Sequence, residues 1–84
     1  MKITYDAAAN AAYIYLSTGE ADGTVARTYA CDPEDVQGQI NLDFDAAGRL
    51  IGVEVLGARS KLPPDLLRHA ERLDEPVAQE ASPT

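Results

Sequence analysis

The stretch from Gln39 to Leu56, QINLDFDAAGRLIGVEVL, admits few folds other than a β-hairpin. Ile40, Leu42 and Phe44 alternate with Asn41, Asp43 and Asp45. After the turn, Ile51, Val53 and Val55 alternate with Leu50, Gly52, Glu54 and Leu56. A period of two marks strands with one buried face. Between the runs stands Asp45-Ala46-Ala47-Gly48-Arg49, a turn by composition. Directly opposed residues in an antiparallel pair share a face, so the register follows from the pattern. A three-residue loop sets Phe44 against Leu50, but also Leu42 against Gly52 and Ile40 against Glu54. A four-residue loop, Ala46 to Arg49, sets Phe44 against Ile51, Leu42 against Val53 and Ile40 against Val55. The other face then pairs Asp43 with Gly52 and Asn41 with Glu54. The second register is expected because it leaves one dry face and one wet face. Gly48 closes the loop in the left-handed conformation that glycine adopts without steric cost. Leu50 and Leu56 disturb the pattern, since both fall on the face of Asp43 and Glu54.

The chain before the hairpin supplies three further strands. Lys2 to Tyr5 is the first, followed by a turn at 6–10 that is too short for a helix of its own. Ala11 to Ser17 is the second, with Ala12, Ile14 and Leu16 on one face and Tyr13 and Tyr15 on the other. Ser17 to Gly23 is a loop by its Gly and Asp content. Thr24 to Ala30 is the third strand, where Val25, Arg27 and Tyr29 alternate with small residues, a pattern suited to an edge. Cys31 to Gly38 is a second loop, in which Asp32-Pro33 favours a turn. Beyond the hairpin, Gly57 ends the sheet and a helix is expected from Pro64 to Leu73, with Leu66, Leu67, Ala70 and Leu73 as its apolar stripe. Residues 74–84 carry two prolines and no periodicity, and read as a disordered acidic tail. The expected fold is therefore α+β, a mostly antiparallel sheet of about five strands with one C-terminal helix, forming a single domain over residues 1–73.

A chain of 84 residues builds only a small core, and a domain of this size buries roughly 60–65% of its unfolded surface. Small scaffolds lean on disulfides, metals or association. Cys31 is the single cysteine and no Cys/His cluster suggests zinc, which leaves self-association, most simply as a two-fold homodimer. Fourteen acidic against seven basic residues, a net charge of −7, argue against nucleic-acid binding, which needs clustered Lys and Arg. No apolar run approaches a membrane span, no signal segment opens the chain, and a lone cysteine fits a reducing compartment, so a cytoplasmic location is expected.

The ordered set Lys2-Ile3-Thr4-Tyr5-Asp6, Ala11-Ala12-Tyr13-Ile14-Tyr15-Leu16, Ile40-Asn41-Leu42-Asp43-Phe44-Asp45 and Gly48-Arg49-Leu50-Ile51-Gly52-Val53-Glu54 resembles the bacterial family called domain of unknown function 2283. The resemblance covers about residues 2–58. Asn10 departs from it, standing where the family often has an acidic residue, as does a longer loop at 31–39. The family lacks an established activity or catalytic residues, so the resemblance implies none here. It does imply an antitoxin-like role as one option, since some members resemble the partners of small toxin-like proteins.

Candidate sites are few. Asn41, Asp43 and Asp45, with Glu54 opposite Asn41, could offer oxygen ligands to magnesium or calcium, but side chains on one strand face stand roughly 6–7 Å apart and ions need loop-supplied ligands around them. A solvated face that discourages aggregation is the favoured reading. Cys31 and His69 could form a nucleophile and base, yet no motif surrounds either. No catalytic residue, metal or cofactor is expected. The expected function is a non-catalytic protein-interaction module that self-associates, with Tyr13, Tyr15, Leu50, Leu56, Leu66 and Leu67 as its contact surface. The alternatives are an antitoxin-like partner of a small basic toxin, for which the acidity is suited, and a small metal-binding or enzymatic domain.

Overall fold

The alternating runs pair into one six-stranded sheet in a computed structural model, which describes residues 1–16, 24–31 and 38–73. The strands are β1 (Lys2–Asp6), β2 (Ala11–Tyr15), β3 (Arg27–Cys31), β4 (Ile40–Phe44), β5 (Leu50–Leu56) and β6 (Glu71–Arg72), in the order β3-β4-β5-β2-β1-β6. Neighbours are antiparallel except β6, which runs parallel to β1. Two short helices, α1 (Ala58–Lys61) and α2 (Pro64–Arg68), lie between β5 and β6. The α+β class holds, with six strands in place of five and two short helices in place of one C-terminal helix. The third strand occupies the expected edge, but runs from Arg27 to Cys31 because Cys31 pairs with Ile40 at the start of β4. The loop readings at 17–23 and 32–37 and the tail at 74–84 lie outside the described residues.

The helix starts at Pro64 as expected and stops at Arg68, well short of Leu73. Open strand edges carry unpaired N–H and C=O groups, and β1 would present such an edge. Glu71 and Arg72 pair with Thr4 and Tyr5, and the Leu73 N–H donates to the Tyr5 carbonyl at 2.9 Å. Covering that edge outweighs another turn of a helix too short to be stable alone.

The hairpin satisfies both registers considered from its sequence. The Gly48 N–H donates to the Asp45 carbonyl at 3.0 Å and the Asp45 N–H to the Arg49 carbonyl at 2.9 Å, which closes a three-residue loop with Gly48 at φ 86°. Phe44 accordingly pairs with Leu50, not Ile51. A bulge then inserts Ile51, after which Asp43 pairs with Gly52, Leu42 with Val53, Asn41 with Glu54 and Ile40 with Val55. The loop obeys its turn chemistry and the strands obey their apolar pattern, with one extra residue absorbing the difference. Leu50, opposite Phe44, thus shares the apolar face instead of the wet one.

That register sorts the sheet into two faces. Ile3 and Tyr5, Ala12 and Ile14, Arg27 and Tyr29, Ile40, Leu42 and Phe44, and Val53 and Val55 share the apolar face. The helices cover one end of it: Leu67 and Ala70 bury against Tyr5, Ala12, Val55 and Ala58, with Ile3, Val53 and Leu62 at the margin. Asn10 secures this cover. It adopts a left-handed φ of 56° in the β1–β2 turn, its carbonyl accepts from the Gly57 and Ala58 N–H groups, and its Oδ1 accepts from the Arg59 N–H at 2.8 Å. Asparagine tolerates that conformation better than most residues.

Asp45 holds the turn. Its Oδ1 accepts from the Ala47 and Arg49 N–H groups at 3.0 and 2.9 Å, and its Oδ2 from the Arg49 Nε at 2.9 Å. The Arg49 backbone N–H is the chief cause holding its carboxyl below the usual range, against an opposing effect of burial; the Arg49 guanidinium and the Ala47 N–H add to it. A depressed native pKa contributes stability that is complete above the unfolded value and is lost as pH falls through the folded one. In urea unfolding, the stability gap between the parent and Asp45→Asn is expected to narrow below about pH 4. A gap that stays constant down to strong acid would contradict this role.

Candidate functional site

The polar face is a hydrogen-bonded network. Tyr13 on β2 lies across Gly52 on β5 so that its hydroxyl donates to Oδ2 of Asp43 on β4, two strands away. Gly52 makes this crossing possible, because a Cβ there would collide with the hydroxyl end of the Tyr13 ring. The Thr28 hydroxyl on β3 donates to Asp43 Oδ1 at 2.6 Å. Asn41 Nδ2 donates to Glu54 Oε1 at 2.8 Å, and Gln39 Nε2 to Asn41 Oδ1 at 2.8 Å. Tyr15 stacks on Tyr13 with centroids 4.6 Å apart, and Lys2 Nζ lies 5.3 Å from the Tyr15 ring centroid. Burial first, then the hydrogen bond to Asp43 and that carboxylate's charge, push the Tyr13 phenol well above its ordinary pKa. Tyr13 is thus a neutral donor at physiological pH, and Asp43 uses both oxygens within the sheet. The arrangement ties four consecutive strands together.

The acidic set separates accordingly. Asp43 belongs to the network, Glu54 accepts from Asn41, and Asp45 caps the turn. Among the described residues no group of three His, Cys, Asp or Glu side chains could hold a metal ion. Cys31 ends the edge strand β3, whereas His69 caps α2 with Nδ1 against the Asp65 carbonyl at 2.8 Å, so the topology does not join them.

The apolar face is open where the helices end. Six strands at ~4.8 Å spacing span about 24 Å, whereas a helix covers about 10 Å. Tyr29 remains 52% exposed, Leu16 40% and Leu50 39%, around the half-buried Phe44 and Leu42. Tyr29 meets Phe44 edge to face with centroids 5.5 Å apart. Arg27 stands at the end of this patch, and no strand residue on the apolar face is a carboxylate. Asp43 and Glu54 lie on the opposite face.

Of the residues expected to form a contact surface, Leu50 joins this open patch. Tyr13 and Tyr15 occupy the polar face, as does Leu56, paired with Ala11. Leu66 is half-buried, and Leu67 is enclosed in the core of its own chain. Leu16, Tyr29 and Phe44 were not in that set. Their signal was the mismatch in width between a whole apolar sheet face and one short amphipathic helix.

The family model described as a protein of unknown function (DUF2283) matches residues 2–59. The chain belongs to this family. The DUF2283 segment spans β1 to β5 and therefore carries the polar network and the open apolar patch, while α2 and β6 lie beyond it. No curated protein and no solved structure matches the chain. No helix among the described residues of this DUF2283 member is long and apolar enough to cross a membrane.

Gly52→Ala is expected to destabilise the fold by about 1–3 kcal/mol through the collision with Tyr13. In a Tyr13→Ala background the same substitution should cost less, because the ring is gone. A double-mutant cycle from urea unfolding measures that coupling. Strictly additive effects would show that the ring does not need the glycine.

Proposed function

We propose that this chain is a non-catalytic, cytoplasmic protein-interaction module that associates with a second copy of itself through the open half of its apolar face. The supporting observation is the apolar patch of Leu16, Tyr29, Phe44 and Leu50 on a face where none of the described strand residues is a carboxylate. Copies of a chain with net charge −7 repel one another, which favours contact through the described strand face that carries no carboxylate. A two-fold axis brings the same patch together from both subunits, and apolar sheet faces stack at about 10 Å. Such stacking gives the sheet the second layer that domains require.

A second reading, an antitoxin-like partner for a small basic protein, draws on the acidity and on Asp43 and Glu54 gathered on one face. Those carboxylates already serve the sheet's own network, which ranks this reading below self-association. Co-expression with the neighbouring gene product tests it, and failure to co-purify would remove it.

Light scattering at micromolar concentration is expected to give a dimer for the parent chain. Tyr29→Asp, at an exposed side chain, should yield a folded monomer by placing like charges across the contact. A well-folded parent that stays monomeric would overturn the proposal, as would a Tyr29→Asp variant that dimerises equally well.

A further inference from the structure

We propose that the outer edge of β3 pairs antiparallel with β3 of a second copy, with Thr28 on the two-fold axis, so that two sheets join into one. This contact is made by the edge of the sheet, not by its apolar face, and it stands whether or not the faces associate.

The two strands that end the sheet differ in how they are guarded. Strand edges template another strand through their outward N–H and C=O groups, and are blunted by shortness, proline, bulges or charge. β6 is two residues long and one of them is Glu71. β3 is five residues long, contains no proline, glycine or carboxylate, and has its one charge, Arg27, at its first position. Its flank is also open to solvent. Every residue from Thr24 to Ala30 is exposed, on both faces alike, whereas all five residues of β4, one strand further in, are half-buried. The stretch from Thr24 to Cys31 holds none of the chain's fourteen acids, so two copies of an acidic protein pair there without opposing carboxylates within the paired strands.

The side chains select the register. A two-fold axis normal to the sheet keeps both apolar faces on one side, which requires a residue on the axis. Arg27 on the axis would set two guanidiniums directly against each other. Tyr29 on the axis would run the pairing beyond Cys31 into Asp32 and Pro33, whose ring leaves no N–H to give. Thr28 on the axis meets the partner's Thr28, sets Ala26 against the partner's Ala30, and lays Arg27 across from the partner's Tyr29 ring, a cation–π pair made twice. The Ala26 N–H donates to the Phe44 carbonyl at 2.8 Å, so the chain already follows β4 over this length. A single short strand buries little area, which makes the contact weak and places it at higher concentration than the face dimer. Both apolar patches then lie on one side of the joined sheet, so the edge and face contacts are compatible.

Crosslinking of the full chain in a Cys31→Ser background tests the register. Thr28→Cys places sulfurs at directly opposed positions, whose Cα atoms stand about 4.5–5.5 Å apart, within disulfide reach. Ala30 lies opposite the partner's Ala26, so Ala30→Cys leaves its sulfurs about 13 Å apart along the strands. Stacked faces hold Thr28 on the outside of both sheets, so a face dimer alone crosslinks neither variant. Under mild oxidation Thr28→Cys is expected to form disulfide-linked dimers at least about tenfold faster than Ala30→Cys. In the parent chain, with no substitution, the β3 amides that do not bond to β4 should exchange with deuterated solvent more slowly as concentration rises from micromolar to millimolar. Face stacking gives those N–H groups no acceptor. The proposal is overturned if Thr28→Cys crosslinks no faster than Ala30→Cys, or if exchange at those amides is independent of concentration.

Discussion

The Asp45–Gly48 turn closes a loop whose register, carried along the strands, would set Leu42 against Gly52 and Ile40 against Glu54. The bulge at Ile51 prevents this. A slip of one residue sends every side chain of a strand to the other face, so this insertion decides the chemistry of both faces. With it, Ile40, Leu42, Val53 and Val55 meet on one side, and Asn41, Asp43, Gly52 and Glu54 on the other. The helices find an apolar surface to cover, and Tyr13 finds a glycine to cross on its way to Asp43. Turn chemistry and apolar pattern conflict by a single residue, and Ile51 is buried at the point where they are reconciled.

The two faces then differ in how completely they are satisfied. On the polar face, Tyr13 and Thr28 donate to Asp43, and Asn41 donates to Glu54, all within the sheet. On the apolar face, the cover ends over β1, β2 and β5 and leaves Tyr29 and Leu50 exposed. This asymmetry moves the expected site of contact away from the tyrosines of β2. Tyr13 is engaged by Asp43 and Tyr15 stacks upon it, whereas Tyr29 pairs with Leu42, meets Phe44 edge to face and stays exposed on an open face.

Much of this was legible in the alternation. Ile40, Leu42, Val53 and Val55 announced their register because apolar residues had to oppose one another, Gly48 announced its left-handed turn, and Arg27 with Tyr29 announced an edge. What was not legible arose from contacts distant in sequence. No local pattern says that a helix opening at Pro64 will stop at Arg68 so that Glu71 and Arg72 can cover β1, because the benefit lies in the backbone of Thr4 and Tyr5. The bulge was hidden for a related reason: each alternative loop length satisfied one demand, and nothing in the sequence weighs an extra residue against a distorted turn.

The end of the family match at residue 59 divides the molecule in a physically informative way. Up to that point the described residues build a sheet with one apolar face, on which only Ala58 at the start of α1 is laid. Leu67 and Ala70 come from the extension, and burying side chains such as Leu67 contributes about 1.5–3 kcal/mol each. The described part of the extension, α2 and β6, covers the other end of the sheet, so the same need for a second layer persists over β3 and β4. The proposed dimer and the helical extension thus answer one requirement at two ends of one surface.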